Sequence, residues 1–338
     1  MIPRLNISFS LGRQWNYWFG KQYEPKKGEY LLNHARTGIV LALRATLPKE
    51  GRVGVVAYNC HTVANAVVNA KCTPVFVDIT DNLTIDVDSI PADLDAIIVT
   101  NLFGIRNDIA TIKQRCPKAF IIVDNAHGYG VPAEGDCTVY SINQGKFPAL
   151  GEGGILMLNG DRLAVNGIEE QYKALPGYGF VGQVKLFVSM LIKAILYQPW
   201  LYGWFTMRLK HRRANAAELS PIIGRQMATG VRRLYNEWLP KAEEEIAMQR
   251  KNAERIASHL SPLTFNHYII GENAFMAVTR TNDPEGLKKA FAARGIESET
   301  HFKHAIDWAQ EFGYQLGSCP KAEELTKQLV MIPTYRKI

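Results

Sequence analysis

The sequence predicts an open α/β layer structure, a mostly parallel sheet with helices on both faces, followed by a smaller α+β region. Two observations carry this. Short β-branched runs recur between residues 52 and 158, and the stretches between them have helical spacing. Near-continuous apolar strands alternating with helices are what a sheet buried on both faces requires. Size is the third observation: 338 residues, 47% of them hydrophobic and 21% charged, suffice for two cored regions and exclude disorder, collagen and small disulfide scaffolds.

In chain order, an aromatic N-terminal arm leads into residues 31–47, which read as a loop entering a helix built on Ile39, Val40, Leu43 and Leu47. Strands follow at Arg52–Ala57, Thr73–Val77, Ala96–Thr100, Ala119–Val123, Cys137–Ser141 and Ile155–Leu158, with helices at Thr62–Ala70 and Asp108–Arg115 between them. The texture then changes. From Tyr178 to Arg213 the chain is apolar and aromatic, yet Lys193 and Pro199 interrupt it. It therefore falls short of the ~20 consecutive apolar residues that span a bilayer. Residues 216–260 read as one or two long helices, and the remainder as a compact α+β cap with strands near Phe275–Thr279 and Leu329–Ile332 and a helix at Glu285–Arg294. This places a large α/β domain over residues 1–215, with 180–213 as its atypical segment, and a small domain over 216–338.

Charge narrows the partners by position. Lys and Arg exceed Asp and Glu by 39 to 32, but no nucleic-acid motif accompanies the basic cluster Arg208–Arg213, which argues against a nucleic-acid partner. Five widely spaced cysteines (Cys60, Cys72, Cys116, Cys137 and Cys319) include no C-x-x-C pair. They read as reduced thiols with neither a disulfide framework nor a metal site. The first 21 residues have no apolar secretion core, and the cytoplasm is the expected compartment. Two readings of residues 180–213 stand side by side: a helix pair packed at a subunit interface, or an apolar surface with a basic flank lying on an anionic membrane.

Chemistry collects where polar residues follow apolar strands, because ligands of open parallel sheets bind outside the carboxyl ends of the strands. Asp124 follows AFIIV, with His127 three residues on; Ser141 ends a strand, with Lys146 five residues later and Gly151-Glu152-Gly153-Gly154 after it; and His34-Ala35-Arg36-Thr37-Gly38 opens a helix. Singly, each has a plain structural explanation: Asp124 as a helix cap, Lys146 as a solvated loop residue, His127 as a core histidine, the glycines as a tight turn. Together they supply what a pyridoxal phosphate site needs. A lysine amine takes up the aldehyde, a carboxylate keeps the pyridine nitrogen protonated, and N–H groups at a helix start hold the phosphate. Burial of such a lysine would push its pKa down and make it a usable base.

The run S-x-x-x-x-K-x-x-x-x-G-E-G-G from Ser141 to Gly154 resembles the signature of the DegT/DnrJ/EryC1/StrS sugar aminotransferases, which are fold-type I pyridoxal phosphate enzymes. The segments ARTGIVLAL, AKCTPVFVDITDNLTID, TNLFGIRNDI, VDNAHGYG, RGIESETHF and CPKAEELTKQLVMIPTY are similar to that family in the same order, over most of residues 31–338. The resemblance implies a fold-type I transferase with a large mixed, mostly parallel sheet domain and a smaller C-terminal α+β domain. It further implies that Lys146 binds the cofactor and carries the proton of the 1,3-shift, that Asp124 meets the pyridine nitrogen, and that His127 lies near the ring's 3-hydroxyl. Ser141 would bind the phosphate, with Ala35, Arg36 and Thr37 contributing mostly backbone contacts; at the ring-stacking position the segment YNCHTVANA offers His61 or Thr62, of which His61 is the nominee, and Asn143 would touch phosphate or ring. The family's Asn-x-Arg-Met element has no clear counterpart, Asn215 lying at the wrong spacing from Glu218.

The implied activity is transfer of an amino group, with glutamate as donor, to a keto sugar carried on a nucleotide. Such a reaction serves polysaccharide or glycan precursor synthesis, and the resemblance implies a homodimer. Relatives that dehydrate sugars carry His where this chain has Lys146. The alternatives are a non-catalytic relative and a pyridoxal phosphate enzyme of other reaction type, such as a sugar dehydratase or amino-acid aminotransferase.

Overall fold

The computed structural model describes residues 1–3, 9–159, 167–203, 220–260 and 268–335. The arm preceding the sheet is helical, α1 (Leu11–Phe19), capped by Ser10, whose hydroxyl accepts from the Arg13 N–H at 3.3 Å. Then come β1 (Glu29–Leu32), α2 (Ala35–Thr46), β2 (Arg52–Val56), α3 (His61–Asn69), β3 (Thr73–Val77), β4 (Ala96–Thr100), α4 (Ile109–Arg115), β5 (Phe120–Asn125), β6 (Cys137–Ser141) and β7 (Gly154–Leu158). The seven strands form one sheet in the order β1-β7-β6-β5-β4-β2-β3. Strands β2 to β6 run parallel, while β7 and β1 are antiparallel to their neighbours. Strands β4 and β6 are buried along their whole length, which is why they read as unbroken apolar runs rather than as alternation.

Every strand expected between residues 52 and 158 is present, within one or two residues at its ends. Strand β1 is a correction, because Glu29–Leu32 had read as the end of the N-terminal arm and the start of a loop. Its four residues pair antiparallel with β7, Leu32 opposite Gly154, so its partner rather than its own pattern makes it a strand. Sheet order reverses between β2 and β4, one flank going to β3 and the other to β5. The chain ends of β2, β4, β5 and β6 therefore open on one crevice.

Beyond the sheet lie α5 (Ile168–Ala174), α6 (Phe180–Leu196), a short helical turn at Pro199–Leu201, α7 (Thr229–Trp238) and α8 (Ala242–Leu260). A second, antiparallel sheet takes β8 (Tyr268–Ile270), β9 (Met276–Arg280), β10 (Glu299–Thr300) and β11 (Leu329–Pro333) in the order β10-β11-β9-β8. Helix α9 (Pro284–Ala293) packs on β11 through Leu287 and Phe291. The basic cluster Arg208–Arg213, Asn215 and the expected domain boundary at 215/216 lie outside the described residues. Among the described residues no helix is long and apolar enough to cross a membrane, and the five cysteines are free.

Candidate active site

Four strand ends and one helix start converge on a cavity of about 170 Å³. Strand β5 delivers Asp124, whose carboxyl Oδ1 accepts the Ala126 N–H at 2.9 Å. Its neighbour β4 delivers Thr100, which pairs in register with Asp124 and accepts a 2.9 Å hydrogen bond from the Asn59 amide beyond β2. Strand β6 ends in buried Ser141, and the turn after it carries Asn143 and Lys146, the Lys146 N–H returning to the Asn143 carbonyl at 2.9 Å. Helix α2 begins at the opposite wall with Ala35 and Arg36. Asp124, His127, Ser141, Asn143, Lys146, Ala35 and Arg36 thus line one space.

Glycine makes the approach of α2 possible. A Cβ on Gly154 would lie 2.2 Å from the His34 carbonyl carbon and 2.3 Å from the Ala35 nitrogen. Only a residue without a side chain lets the helix start cross β7 at this distance. The G-E-G-G run therefore holds the helix N-terminus over the cavity. Beside it, Asn143 Oδ1 accepts the Gly153 N–H at 3.0 Å and its amide meets His34 Nδ1 at 3.2 Å. The other His34 nitrogen lies 3.3 Å from Glu152, which also accepts from the Tyr178 hydroxyl.

Burial governs the titrations. It pushes the Asp124 carboxyl above its ordinary range, opposed by the Ala126 N–H, the Lys146 charge and the Thr100 hydroxyl. It holds His127 well below the usual histidine value, reinforced by the charges of Lys146 and His301. His127 is therefore neutral, and its Nδ1 accepts the Phe103 N–H at 3.4 Å, which assigns the proton to Nε2. Burial and the Arg36 charge lower His34 to about 4.

Two expected residues sit elsewhere. Thr37 points away from the cavity: its hydroxyl donates to Asn33 Oδ1 at 2.9 Å and its N–H to the His34 carbonyl at 3.1 Å, so neither is free for a phosphate. The His61 ring packs edge-on against Trp308, with centroids 5.1 Å apart, and lines a neighbouring hollow. Its neighbours Cys60 and Thr62 line the cavity, as do His34, Asn59, Thr100 and Phe302; of these the sequence had pointed to Thr62 and to the loop that begins at His34. Phe302 arrives from the second sheet's connection with φ at +49°, its ring parallel to His127 at 6.0 Å. Such a left-handed backbone at a non-glycine residue marks a constrained site.

The donor set fits pyridoxal phosphate. A buried carboxylate, an amine, a hydroxyl, an amide and a helix N-terminus face one another across a space closed by His127 and Phe302.

Cys60 offers a test of this electrostatic reading. Burial raises its thiol, but hydrogen bonding with His61 and the Lys146 charge outweigh burial and bring it down to about 7. The thiolate is the reactive form. Alkylation of Cys60 in cofactor-free protein, followed by mass spectrometry against pH, is expected to show a midpoint near 7 and to be blocked by pyridoxal phosphate. A midpoint in the ordinary thiol range, or no protection, contradicts the placement.

A hollow of about 400 Å³ adjoins the cavity through His34, Arg36 and Thr62, and Arg225 stands over the Tyr178 ring there, 5.4 Å from its centroid.

Comparison with known proteins agrees with this geometry. Residues 30–185 match the DegT/DnrJ/EryC1/StrS aminotransferase family. The fold superposes on a putative sugar aminotransferase, Spr1654 from Streptococcus pneumoniae in its pyridoxamine phosphate form, with a TM-score of 0.74 at 17% identity over 100% of this chain and 95% of that one. DesV of S. venezuelae, solved in complex with a ketimine intermediate, gives 0.72 at 18% over 99% and 95%. The sugar aminotransferase CalS13 from Micromonospora echinospora gives 0.70 at 15% over 99% and 95%. With its strand-end acid, its loop lysine and its glycine-lined helix start on one cavity, the chain is similar over residues 30–185 to the DegT/DnrJ/EryC1/StrS aminotransferase family, and its fold is that of solved sugar aminotransferases.

Proposed function

We propose that the protein transfers an amino group from glutamate to a keto sugar carried on a nucleotide, and that it does so as a homodimer in glycan precursor synthesis. The observation that carries the reading is the convergence of Asp124, Lys146 and the start of α2 on one cavity. Bound pyridoxal phosphate supplies an electron sink for the carbon that exchanges its amino group. Asp124 holds a proton on the pyridine nitrogen, and its burial makes that pairing strong. Lys146 holds the cofactor's aldehyde in the resting state and, once freed, moves the proton at the reacting carbon. Ser141 and the N–H groups of Ala35 and Arg36 take the phosphate. Neutral His127, with its proton on Nε2, flanks the ring.

The nucleotide link is supported by the adjoining hollow, where the Arg36 and Arg225 guanidiniums flank space for a diphosphate. Running the reaction backwards tests it. Incubation of the enzyme with a panel of nucleotide-linked amino sugars and 2-oxoglutarate is expected to yield glutamate and a keto sugar from at least one of them, read by mass spectrometry. Glutamate formed from free amino sugars or amino acids, but from no nucleotide sugar, would overturn the substrate assignment.

A further inference from the structure

Helices α1 and α6 pack on each other and leave a joint apolar face. Phe9, Tyr17 and Trp18 meet Phe187 with ring centroids 5.2 to 5.5 Å apart, and the Tyr17 hydroxyl donates to the Gln183 carbonyl at 2.8 Å. These inward contacts turn Leu11, Trp15 and Phe19, one turn apart on α1, outward, with Leu11 82% and Trp15 65% exposed. Phe180, Val181, Val188, Ile192 and Ile195 of α6 and Trp200 beyond it are exposed as well. Large side chains in this number on two adjoining helices are not scattered surface residues.

Along the sequence, the charge in the stretches that carry these helices has one sign. Residues 1–23 and 171–217 contain ten of the 39 Lys and Arg residues and none of the 32 Asp and Glu residues. The rest of the chain carries 29 basic against 32 acidic side chains, so the whole positive excess resides in these two stretches. Lys185 is exposed on α6 and Lys21 just past the end of α1, and neither helix contains an acid.

We infer that the α1–α6 face docks on the surface of an anionic lipid bilayer. Trp, Phe and Leu on an interfacial helix face with Lys and Arg at its margin suit the headgroup boundary, and basic side chains beside it gain from the negative surface potential. A second copy of the chain is disfavoured by the same charges. A two-fold interface sets a patch against itself, and here it would bring cations together with no carboxylate on either helix to pair them. The inner side of α6 matters too. Leu186, Ser189, Met190 and Lys193 wall a hollow of about 270 Å³ shared with His34, Asn143 and Gly145. Docking therefore holds the Lys146 turn beside the lipid surface. The inference stands apart from the catalytic reading, since it needs no turnover.

Flotation of the full-length holoprotein decides it, using phosphatidylcholine vesicles with and without phosphatidylglycerol. The protein is expected to float with the anionic vesicles at low salt, and to stay behind with neutral vesicles or at high salt. Trp15→Glu/Phe19→Glu is expected to lower the bound fraction about tenfold or more, with circular dichroism and the reaction with glutamate unchanged. Ile192→Glu/Ile195→Glu on α6 provides the same readout should the α1 variant misfold. Absence of flotation at low salt, flotation unaffected by both variants, or a dimer that the variants convert to monomers without any lipid binding would each overturn the inference.

Discussion

Lys146→Ala is expected to lower transamination by about 10³-fold or more, the upper range for loss of a general acid–base that is also the covalent anchor. The near-visible absorbance that pyridoxal phosphate acquires on binding the wild type should be lost with it. The structure restricts the explanation to chemistry. The Lys146 N–H belongs to a turn closed on the Asn143 carbonyl, and the Gln144 N–H bonds the Gly151 carbonyl at 3.0 Å, so the turn is held by backbone atoms that the substitution leaves in place. The variant should therefore keep its melting temperature, measured calorimetrically. Retained absorbance and activity would remove Lys146 from the site.

Asp124→Asn is expected to lower activity about 10²- to 10³-fold, the range for removing one preorganised electrostatic partner from a buried site. Its effect on stability has a distinctive sign. Burial raises the Asp124 carboxyl above its ordinary range in the folded, cofactor-free protein, so the folded state binds the proton more tightly than the unfolded one. Its stability contribution accordingly falls as pH rises through and above the ordinary carboxylate range. Cofactor-free Asp124→Asn should then melt no lower than cofactor-free wild type at neutral pH, whereas in the presence of pyridoxal phosphate the wild type should melt higher. A thermal shift series with and without the cofactor reads both orders. If the cofactor stabilises the variant as much as the wild type, Asp124 is not its partner.

The sheet was legible because its strands are buried on both faces, and residues such as Ile97–Val99 and Ile121–Val123 have no alternative in water. The acid at the end of β5 and the lysine after β6 were legible for a related reason: polar residues that follow such runs fall at the crevice. Strand β1 escaped because four residues carry too little pattern, and its identity as a strand comes from β7. Helix α1 escaped because it is apolar on two sides. Tyr17 and Trp18 face the protein while Leu11, Trp15 and Phe19 face outward, which blurs the single stripe that signals a surface helix.

At the site, His61 stands between two residues, Cys60 and Thr62, that line the cavity, and itself lines the adjoining hollow. The turn from β2 into α3 sets whether Cys60 or His61 faces the cavity, and spacing alone does not show that direction. Thr37 belongs to the motif, yet its hydroxyl is used inside α2's own start, by Asn33. Phe302 had no local signal at all, since long-range packing brings it beside His127 from a connection more than 170 residues away in the chain.

Titration of the pyridoxal phosphate-loaded enzyme with glutamate, following the cofactor's absorbance and the 2-oxoglutarate released, decides whether this cavity transaminates. Conversion to the pyridoxamine form is expected, with one 2-oxoglutarate per site in the wild type and none in Lys146→Ala. An unchanged spectrum with no 2-oxoglutarate, whichever amino donor is supplied, would contradict it and leave the cavity without transaminase chemistry.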